Sequence, residues 1–199
     1  MPPPEFSNVA LFPGFNDIPE SSTSPSSPPP DNDIYFLAQI KDDMTITKPT
    51  LVLHDRHSSP FALVFDGYDR EDGIRLLKSK GLKKGATAVV KNARRVPPKD
   101  ESKRGFVRVE KGKEGDVVAI PGPLDTVLKV GGKLLRGDYQ DNGRCVNCGS
   151  EGKWESLSKC TGCGMVRYCS KECQGRGWNE GGHKAECKVI KAINGIWGR

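Results

Sequence analysis

The feature that most constrains this chain is the spacing of its cysteines. All seven lie between residues 145 and 187 of a 199-residue sequence, together with one of the three histidines. They form four close pairs, two with Cys-x2-Cys spacing, one with Cys-x3-Cys spacing and one with His-x3-Cys spacing. Structural zinc takes four thiolate or imidazole ligands, so eight ligands predict two zinc ions. In chain order the ligands are Cys145, Cys148, Cys160, Cys163, Cys169, Cys173, His183 and Cys187.

A cysteine cluster can also form disulfides, supply a catalytic thiol or bind an iron–sulfur cluster. An odd number of cysteines fits poorly with a secreted module held by disulfides. A catalytic cysteine needs a neighbouring base, for which His183 is the candidate, and would leave the other six cysteines without a role. A cysteine-ligated iron–sulfur cluster is the other metal option. A site with four protein ligands has no position open to water or substrate, so the zinc is expected to be structural rather than catalytic.

The spacing within each pair also predicts local structure. Two residues between cysteines make a tight knuckle that directs both sulfurs at one ion. Gly149 and Gly164 follow the second cysteine of each knuckle, and glycine lets the chain turn away without a side-chain clash. Three residues between ligands is the i,i+4 spacing of one helix face, so the third and fourth pairs are both expected on helices.

The order of these motifs resembles the MYND zinc finger. The matching pattern is CxxC, CxGC, YCSxxCQ, a tryptophan and HKxxC over residues 145–187. The resemblance implies two interleaved zinc sites, a pairing that spacing alone does not specify. In that arrangement one ion takes the first and third pairs and the other takes the second and fourth: Cys145, Cys148, Cys169 and Cys173, then Cys160, Cys163, His183 and Cys187.

The same resemblance implies a use for the finger. Members of the MYND family recruit partner proteins, often by docking proline-containing peptide segments. Thr161, Gln174 and Trp178 match positions at which the family contacts peptide. A partly exposed tryptophan offers a flat apolar platform, and a glutamine amide can bond an extended backbone. Packing of Trp178 between the helices of the finger is the alternative interpretation, and the two are compatible.

Composition divides the chain into three regions with an α+β fold class overall. Residues 1–33 are predicted to be a disordered tail, because a Pro/Ser-rich segment cannot bury enough apolar surface to fold. Residues 34–137 are predicted to form a β-rich domain, since short runs of β-branched and aromatic residues alternate with turn residues. The predicted strands are Ile34–Ile40, Thr50–His54, Phe61–Phe65, Ala86–Ala93, Gly105–Glu110 and Asp116–Ile120. One helix is predicted there, at Arg70–Gly81. Residues 141–199 are predicted to form the zinc finger with a C-terminal helix.

Part of the β-rich region, residues 50–120, resembles the OB-fold, a small β-barrel. The stretch GLKKGATAVVKNARRV and the later stretch GFVRVEKGKEGDVVAIPG resemble its later strands. The turn KGKEG predicts that the last two strands form a hairpin. The predicted helix follows the second strand after Thr50, whereas an OB-fold places its helix between the third and fourth strands. The topology therefore stays open from the sequence.

Basic residues in the β-rich region suggest an alternative function, that of a nucleic-acid-associated regulator. The formal net charge of +6 permits nucleic-acid binding without requiring it. Phe106 is the single aromatic residue in the stretch, and acidic residues dilute the charge. A protein-interaction adaptor is therefore the preferred interpretation. The basic residues are Lys91, Arg94, Arg95, Lys99, Lys103, Arg104, Arg108, Lys111 and Lys113.

No enzyme is predicted, although some MYND proteins carry a methyltransferase or hydroxylase domain. A SET-type methyltransferase needs more length and an asparagine-histidine-cysteine motif, and no cysteine precedes Cys145. An iron dioxygenase needs two histidines and a carboxylate, and the histidines outside the finger are His54 and His57, three residues apart.

The sequence also favours an intracellular protein, in the nucleus or the cytoplasm. Its first residues lack the basic start and the apolar run of a signal peptide. No stretch approaches the ~18–20 apolar residues of a membrane-spanning helix, so no membrane partner is expected. In a reducing compartment, clustered cysteines usually bind metal.

Overall fold

A computed structural model describes residues 4–21, 33–98, 100, 104–139, 143–151 and 156–198. The chain has two compact units: the β unit, Ser7–Leu124, and the finger unit, Met1–Phe6 with Asp125–Arg199. This division differs from the predicted boundary at residue 137, because the segment after Leu124 is helical and clusters with the finger. Within the predicted tail and basic stretch, residues 22–32, Lys99 and Lys103 lie outside the described residues.

The described part of the β unit contains seven strands and one α-helix. All the predicted strands are present, and the two-residue strand β5 was not predicted. The elements are β1 Tyr35–Asp43, β2 Thr50–His54, β3 Pro60–Asp66, α1 Arg70–Ser79, β4 Thr87–Lys91, β5 Arg95–Val96, β6 Phe106–Glu110 and β7 Val117–Ile120, with a 3-10 turn at Glu114–Asp116.

The seven strands form one curled sheet in the order β5-β6-β3-β2-β1-β4-β7. Strands β1, β2 and β3 form an antiparallel meander, and β6 pairs with β3 in parallel. Strands β4 and β5 follow each other in the chain, yet β4 pairs with β1 and β5 pairs with β6. The chain bends between them at Asn92, which has a positive φ of 50°. The short bend therefore connects β4, near one end of the strand order, to β5 at the other end. The sheet has to curl to bring these two strands close together.

Alternating burial along the strands places one apolar core inside this curl. Strands β2 and β3 alternate between buried and half-buried residues, which is the period of two expected for a sheet with one buried face. The largest fully buried side chains on these strands come from β1, β2, β3 and β7: Phe36, Ile40, Leu51, Leu53, Leu63, Phe65 and Ile120.

The helix α1 confirms its prediction and shows why a glycine lies inside it. Asp69 caps the N-terminus by accepting a hydrogen bond from the backbone N–H of Asp72 at 2.8 Å. Gly81 follows the helix with φ of 67°, as a C-terminal stop requires. A Cβ atom at Gly73 would lie 2.0 Å from Cγ of Pro49. Only glycine allows the helix to approach the sheet connection so closely.

Residues 4–21 correct the prediction of a disordered tail. Phe12, Phe15 and Ile18 are buried, and the ring of Phe15 stacks on that of Phe61 with centroids 4.6 Å apart. The backbone N–H of Phe15 donates to the buried carboxylate of Asp55 at 2.8 Å. The prediction of disorder followed the high proline content and gave too little weight to the few aromatic residues. Three large apolar side chains are enough to fix a short segment onto a sheet.

The predicted hairpin between β6 and β7 is wrong. Strand β6 lies between β3 and β5, whereas β7 pairs antiparallel with β4. The KGKEG stretch does contain a tight turn, in which the backbone N–H of Lys113 donates to the carbonyl of Glu110 at 2.9 Å, but the strands on either side of it pair with different partners. Counting β1, the helix α1 follows the third strand and precedes the fourth.

Among its described residues, the finger unit has three helices and one short antiparallel strand pair: α2 Leu124–Leu135, β8 Ser158–Lys159, β9 Arg167–Tyr168, α3 Lys171–Asn179 and α4 His183–Trp197. Helix α2 was not predicted. It is tied to α4 by Lys133, whose ammonium group pairs with the carboxylate of Glu186 at 2.7 Å. Within the residues that the structure describes, no helix is both long and apolar enough to cross a membrane.

The anchoring of the N-terminal segment gives a testable prediction. The carboxylate of Asp55 accepts hydrogen bonds from the backbone N–H groups of Phe15, His57 and Ser59. Asp55→Ala leaves these donors without their acceptor, so we expect the β unit to lose about 2–4 kcal/mol of unfolding free energy. Chemical denaturation measures this loss, and amide exchange at Phe15 should accelerate. Glu110→Ala, an exposed change on β6, should leave both unchanged; an equal effect of the two substitutions would contradict the assignment.

Candidate metal centre

The structure brings the eight predicted ligands together in two groups of four. One group is Cys145, Cys148, Cys169 and Cys173, and the other is Cys160, Cys163, His183 and Cys187. Within each group the ligand atoms all lie within 4.8 Å of one another. The grouping is the interleaved one that the MYND resemblance implies. We call the first group site 1 and the second group site 2.

The distances between ligand atoms fit tetrahedral zinc. With Zn–S bonds of about 2.3 Å, neighbouring sulfurs of a tetrahedron lie about 3.8 Å apart. The sulfurs of Cys148 and Cys169 are 3.7 Å apart in site 1. Those of Cys160 and Cys187 are 3.8 Å apart in site 2, and Nε2 of His183 lies 3.7 Å from the sulfur of Cys163. Thiolate and imidazole ligands favour zinc over magnesium or calcium, so the two groups fit two zinc ions.

The two knuckles have the same backbone conformation. In each, the N–H of the glycine after the second cysteine donates to the carbonyl of the first cysteine at 2.8 Å. Gly149 and Gly164 both have φ of 72°, a left-handed conformation that glycine adopts without strain. The sequence prediction for these two glycines is therefore confirmed.

The third ligand pair lies at a strand-to-helix junction. Cys169 follows β9, and Ser170 caps α3 by accepting a hydrogen bond from the backbone N–H of Cys173 at 3.2 Å. The prediction that both cysteines lie on one helix face is therefore wrong for Cys169, which precedes the helix. The cap fixes where α3 begins, and so fixes the position of Cys173 relative to Cys169.

The fourth pair lies on one face of α4, as predicted. His183 is the first residue of the helix and Cys187 lies one turn later. The second knuckle approaches this helix so closely that a Cβ atom at Gly162 would lie 2.7 Å from the sulfur of Cys187. The middle glycine of the CTGC motif is thus required by the packing of site 2, a role that the spacing of the ligands did not predict.

The two sites differ in their exposure to solvent. In site 2 all four ligands are buried, whereas in site 1 Cys148 and Cys169 are exposed. Between α3 and β9, the fully buried ring of Tyr168 packs against Gly177, where a Cβ atom would lie 2.6 Å from the ring. The finger therefore has a small aromatic core beside site 2 in addition to its metal ligands.

The surroundings of the thiols shift their pKa values in opposite directions. Hydrogen bonding from the hydroxyl and backbone of Ser150 lowers the pKa of Cys148 to about 6. Burial, followed by the hydrogen bond with Cys160, raises the pKa of Cys187 to about 12. Zinc binds thiolates, so binding releases protons from the high-pKa thiols. Zinc affinity therefore falls as the pH is lowered.

The surroundings of His183, the histidine of site 2, favour the neutral form of its ring. Burial lowers the pKa of His183 below its usual value, although the carboxylate of Glu186 acts in the opposite direction. A neutral imidazole has a free ring nitrogen for the metal, and Nε2 faces the sulfur of Cys163. The chemistry of His183 thus fits a zinc ligand rather than a general acid.

The predicted peptide-contacting residues lie beside ligands of both sites. Gln174 follows the site 1 ligand Cys173 on α3. Gln174 and Trp178 are both half-buried and four residues apart on α3, so they share one helix face. The ring of Trp178 meets that of His183 edge to face, with centroids 5.6 Å apart. Thr161 is exposed in the second knuckle. One side of Trp178 therefore packs in the finger while part of its ring remains accessible.

Sequence reasoning missed the polar contacts that hold α4 from outside the ligand segment. The hydroxyl of Tyr139 donates to the carboxylate of Glu186 at 2.6 Å, and the ammonium of Lys133 donates to it at 2.7 Å. Both Tyr139 and Glu186 are buried. Glu186 lies next to the ligand Cys187, but nothing in the spacing indicated a partner 47 residues earlier in the chain.

Comparison with known proteins supports the assignment of this segment. Residues 145–187 match the family described as the MYND finger. Two curated relatives match over the same part of the chain. SET domain-containing protein 14 of Caenorhabditis elegans is 48% identical over 40 residues, which are 20% of this chain and 9% of that protein. A SET and MYND domain-containing protein of Dictyostelium discoideum is 44% identical over 43 residues, 22% of this chain and 7% of that protein.

These matches concern the finger rather than the whole chain. The chain spans less than a tenth of the length of either relative. A solved structure of Schizosaccharomyces pombe Pot1pC bound to single-stranded DNA resembles this chain at a TM-score of 0.30 and 14% identity, covering 50% of this chain and 84% of that one. A TM-score of that size carries no argument. The comparisons thus identify a MYND zinc finger at residues 145–187.

The first prediction for the metal centre concerns its stoichiometry. Native mass spectrometry of the wild-type chain should detect two zinc ions per chain. Because the sites interleave, we expect Cys169→Ser to unfold the finger and to reduce bound zinc to below one ion per chain. Lys171→Ala, an exposed change two residues away, should retain both ions. One ion or none in the wild-type chain would contradict the two-zinc assignment.

The second prediction concerns the close approach of the second knuckle to α4. Gly162→Ala places a methyl group against the sulfur of Cys187, so zinc affinity should fall roughly ten-fold or more. Competition with a chromogenic chelator measures the loss. Gly175→Ala adds the same methyl group where the structure has no atom within 4 Å, and should have little effect. Equal zinc affinities for the two variants would contradict this packing role.

Proposed function

We propose that this chain is a zinc-stabilised adaptor whose MYND finger recruits partner proteins by docking proline-containing peptide segments. It acts by binding rather than by catalysis. The observation that carries the proposal is the position of Gln174 and Trp178 on one face of α3, with the ring of Trp178 against the site 2 ligand His183. The family match supports a protein-interaction module at these residues.

The surface offers the two kinds of contact that an extended peptide needs. The half-buried indole of Trp178 provides a flat apolar face on which a proline ring can pack. The amide of Gln174, one turn away, both donates and accepts hydrogen bonds and can pair with a peptide backbone. Proline-containing segments favour an extended conformation before they bind, so less conformational entropy is lost.

The zinc sites make this surface rigid. Helix α3 carries the site 1 ligand Cys173, and the ring of Trp178 lies against the site 2 ligand His183. A tryptophan whose edge is fixed in this way loses little further freedom when a partner binds, which is typical of interface residues that dominate affinity.

The ligand sets favour binding over chemistry. Each site contains four protein ligands, so a bound zinc has no coordination position left for water or substrate. The finger therefore provides shape and a docking surface. We extend this to the chain and propose that its other unit also acts as a scaffold.

For the β unit, we infer an OB-like barrel. The supporting observations are the antiparallel β1-β2-β3 meander, the helix α1 between the third and fourth strands, the pairing of β4 with β1 and the parallel pairing of β6 with β3. This is the connectivity of the fold that residues 50–120 resemble.

Nucleic-acid binding by this unit is less well supported than the adaptor role. An open groove of about 450 Å³ lies beside the bend between β4 and β5, and its lining has four basic and two acidic residues. Lys91 is paired with Asp33 at 2.9 Å, and the guanidinium of Arg108 covers the ring of Phe106 that would stack on a base. The charged lining residues are Lys91, Arg94, Arg108, Lys113, Glu110 and Asp116.

The adaptor proposal predicts which substitutions abolish peptide binding. The zinc-loaded chain is tested with a panel of proline-containing peptides and with the same peptides in which alanine replaces proline. It should bind members of the proline-containing set and not their alanine counterparts. Trp178→Ala should weaken binding by about ten-fold or more, and Gln174→Ala by a few-fold. Fluorescence anisotropy measures the affinities.

The control for this experiment is Arg176→Ala, which changes an exposed residue between these two on the opposite side of α3. It should leave binding unchanged, and all variants should retain two zinc ions. Binding that is independent of proline, or equally affected by Arg176→Ala, would contradict the proposal.

A further inference from the structure

A phenylalanine from the start of the chain lies in an apolar socket of the finger unit. Phe6 is only 4% exposed. Its ring meets that of Trp197, near the end of α4, edge to face with centroids 5.3 Å apart. The Phe6 ring also lies against Gly131 of α2. We call this place the Phe6 socket and define it by Gly131 and Trp197.

The floor of the socket is specific for glycine. A Cβ atom at Gly131 would lie 2.2 Å from Cδ2 and 2.3 Å from Cε2 of the Phe6 ring, so any side chain there would expel the ring. At the neighbouring Gly132 the nearest atom is the end of the flexible Arg136 side chain, at 3.4 Å. Glycine is unfavourable inside a helix, so its presence at the ring contact needs a reason, and the fit of the ring supplies one.

The segment that fills the socket has a distinct chemistry. The sequence that leads into it is MPPPEF, of which Pro4, Glu5 and Phe6 are described. Pro4, two residues before the aromatic anchor, restricts the backbone before binding, whereas the aromatic ring supplies the buried apolar surface. The occupant is therefore a Pro-x-Phe segment whose ring lies between two helices.

We propose that the Phe6 socket is a second peptide-binding surface of the finger unit, which accepts Pro-x-Phe segments of partner proteins in competition with the chain's own Pro4-Glu5-Phe6 segment. The resident segment is covalently attached, so its effective concentration is high and it suppresses weak competitors. A partner gains access either by binding more tightly or when Phe6 is withdrawn.

The socket selects the ring by shape. Trp197 presents its ring at 71° to that of Phe6, the edge-to-face geometry that aromatic pairs prefer. A leucine or valine at the same position would lose this contact, and a larger tryptophan would meet the backbone at Gly131. The Phe6 socket shares no residue with the surface at Gln174 and Trp178, so each proposal stands or fails independently of the other.

The experiment opens the socket and supplies the segment in trans. Phe6→Ala in the zinc-loaded full chain removes the resident ring, and a labelled peptide with residues 2–8, PPPEFSN, is titrated by NMR or anisotropy. We expect the peptide to bind the Phe6→Ala chain at least about ten-fold more tightly than the wild-type chain. Replacing the phenylalanine of the peptide by alanine should abolish binding.

A matched glycine pair controls for the site. In the Phe6→Ala background, Gly131→Ala should abolish peptide binding, whereas Gly132→Ala should preserve it. Retention of two zinc ions reports that the finger is folded; where Phe6→Ala loses zinc, Phe6→Leu replaces it as a weaker occupant. Equal affinity for the wild-type and opened chains, no binding to the opened chain, or equal effects of the two glycine substitutions would overturn the proposal.

Discussion

The structure of the finger depends on coordination that joins distant parts of the chain. Site 1 links the first knuckle to the start of α3, and site 2 links the second knuckle to α4, so each ion spans a segment that contains ligands of the other. A segment of this length has too little apolar surface to fold on hydrophobic burial alone, and metal binding supplies much of its folding free energy. Because the two sites interleave, neither can form its geometry while the other is absent.

Around this framework, close packing depends on glycines that face rings or sulfur. Gly162 admits the sulfur of Cys187, Gly177 admits the ring of Tyr168 and Gly131 admits the ring of Phe6. Each would place a Cβ atom within 2.7 Å of its neighbour. These glycines serve packing rather than a turn. In α2 and α3, the close contact between the helix backbone and an aromatic ring offsets the low helix propensity of glycine.

Features that depend on residues close together in the sequence were predicted correctly. These are the paired zinc ligands, the glycines of the two knuckles and the strands β2 and β3. The failures are non-local. Strands β6 and β7 do not pair because their partners lie in β3 and β4, residues 4–21 pack because Asp55 accepts from Phe15, and α2 is tied to the finger by Glu186. Periodicity cannot reveal a partner that lies 40 or 53 residues away in the chain.

The two proposed peptide surfaces share one dependence on metal. Trp178 is positioned by its contact with the ligand His183, and Trp197 lies at the end of the helix that His183 begins. Zinc at site 2 fixes the start of α4, and the contact of Glu186 with Lys133 and Tyr139 fixes the same helix against α2. Loss of the site 2 ion would therefore first disturb the surface formed by Gln174 and Trp178. It would also disturb the Phe6 socket, because α4 carries Trp197. Partner binding at either surface thus becomes a property of the zinc-loaded finger rather than of the peptide chain alone.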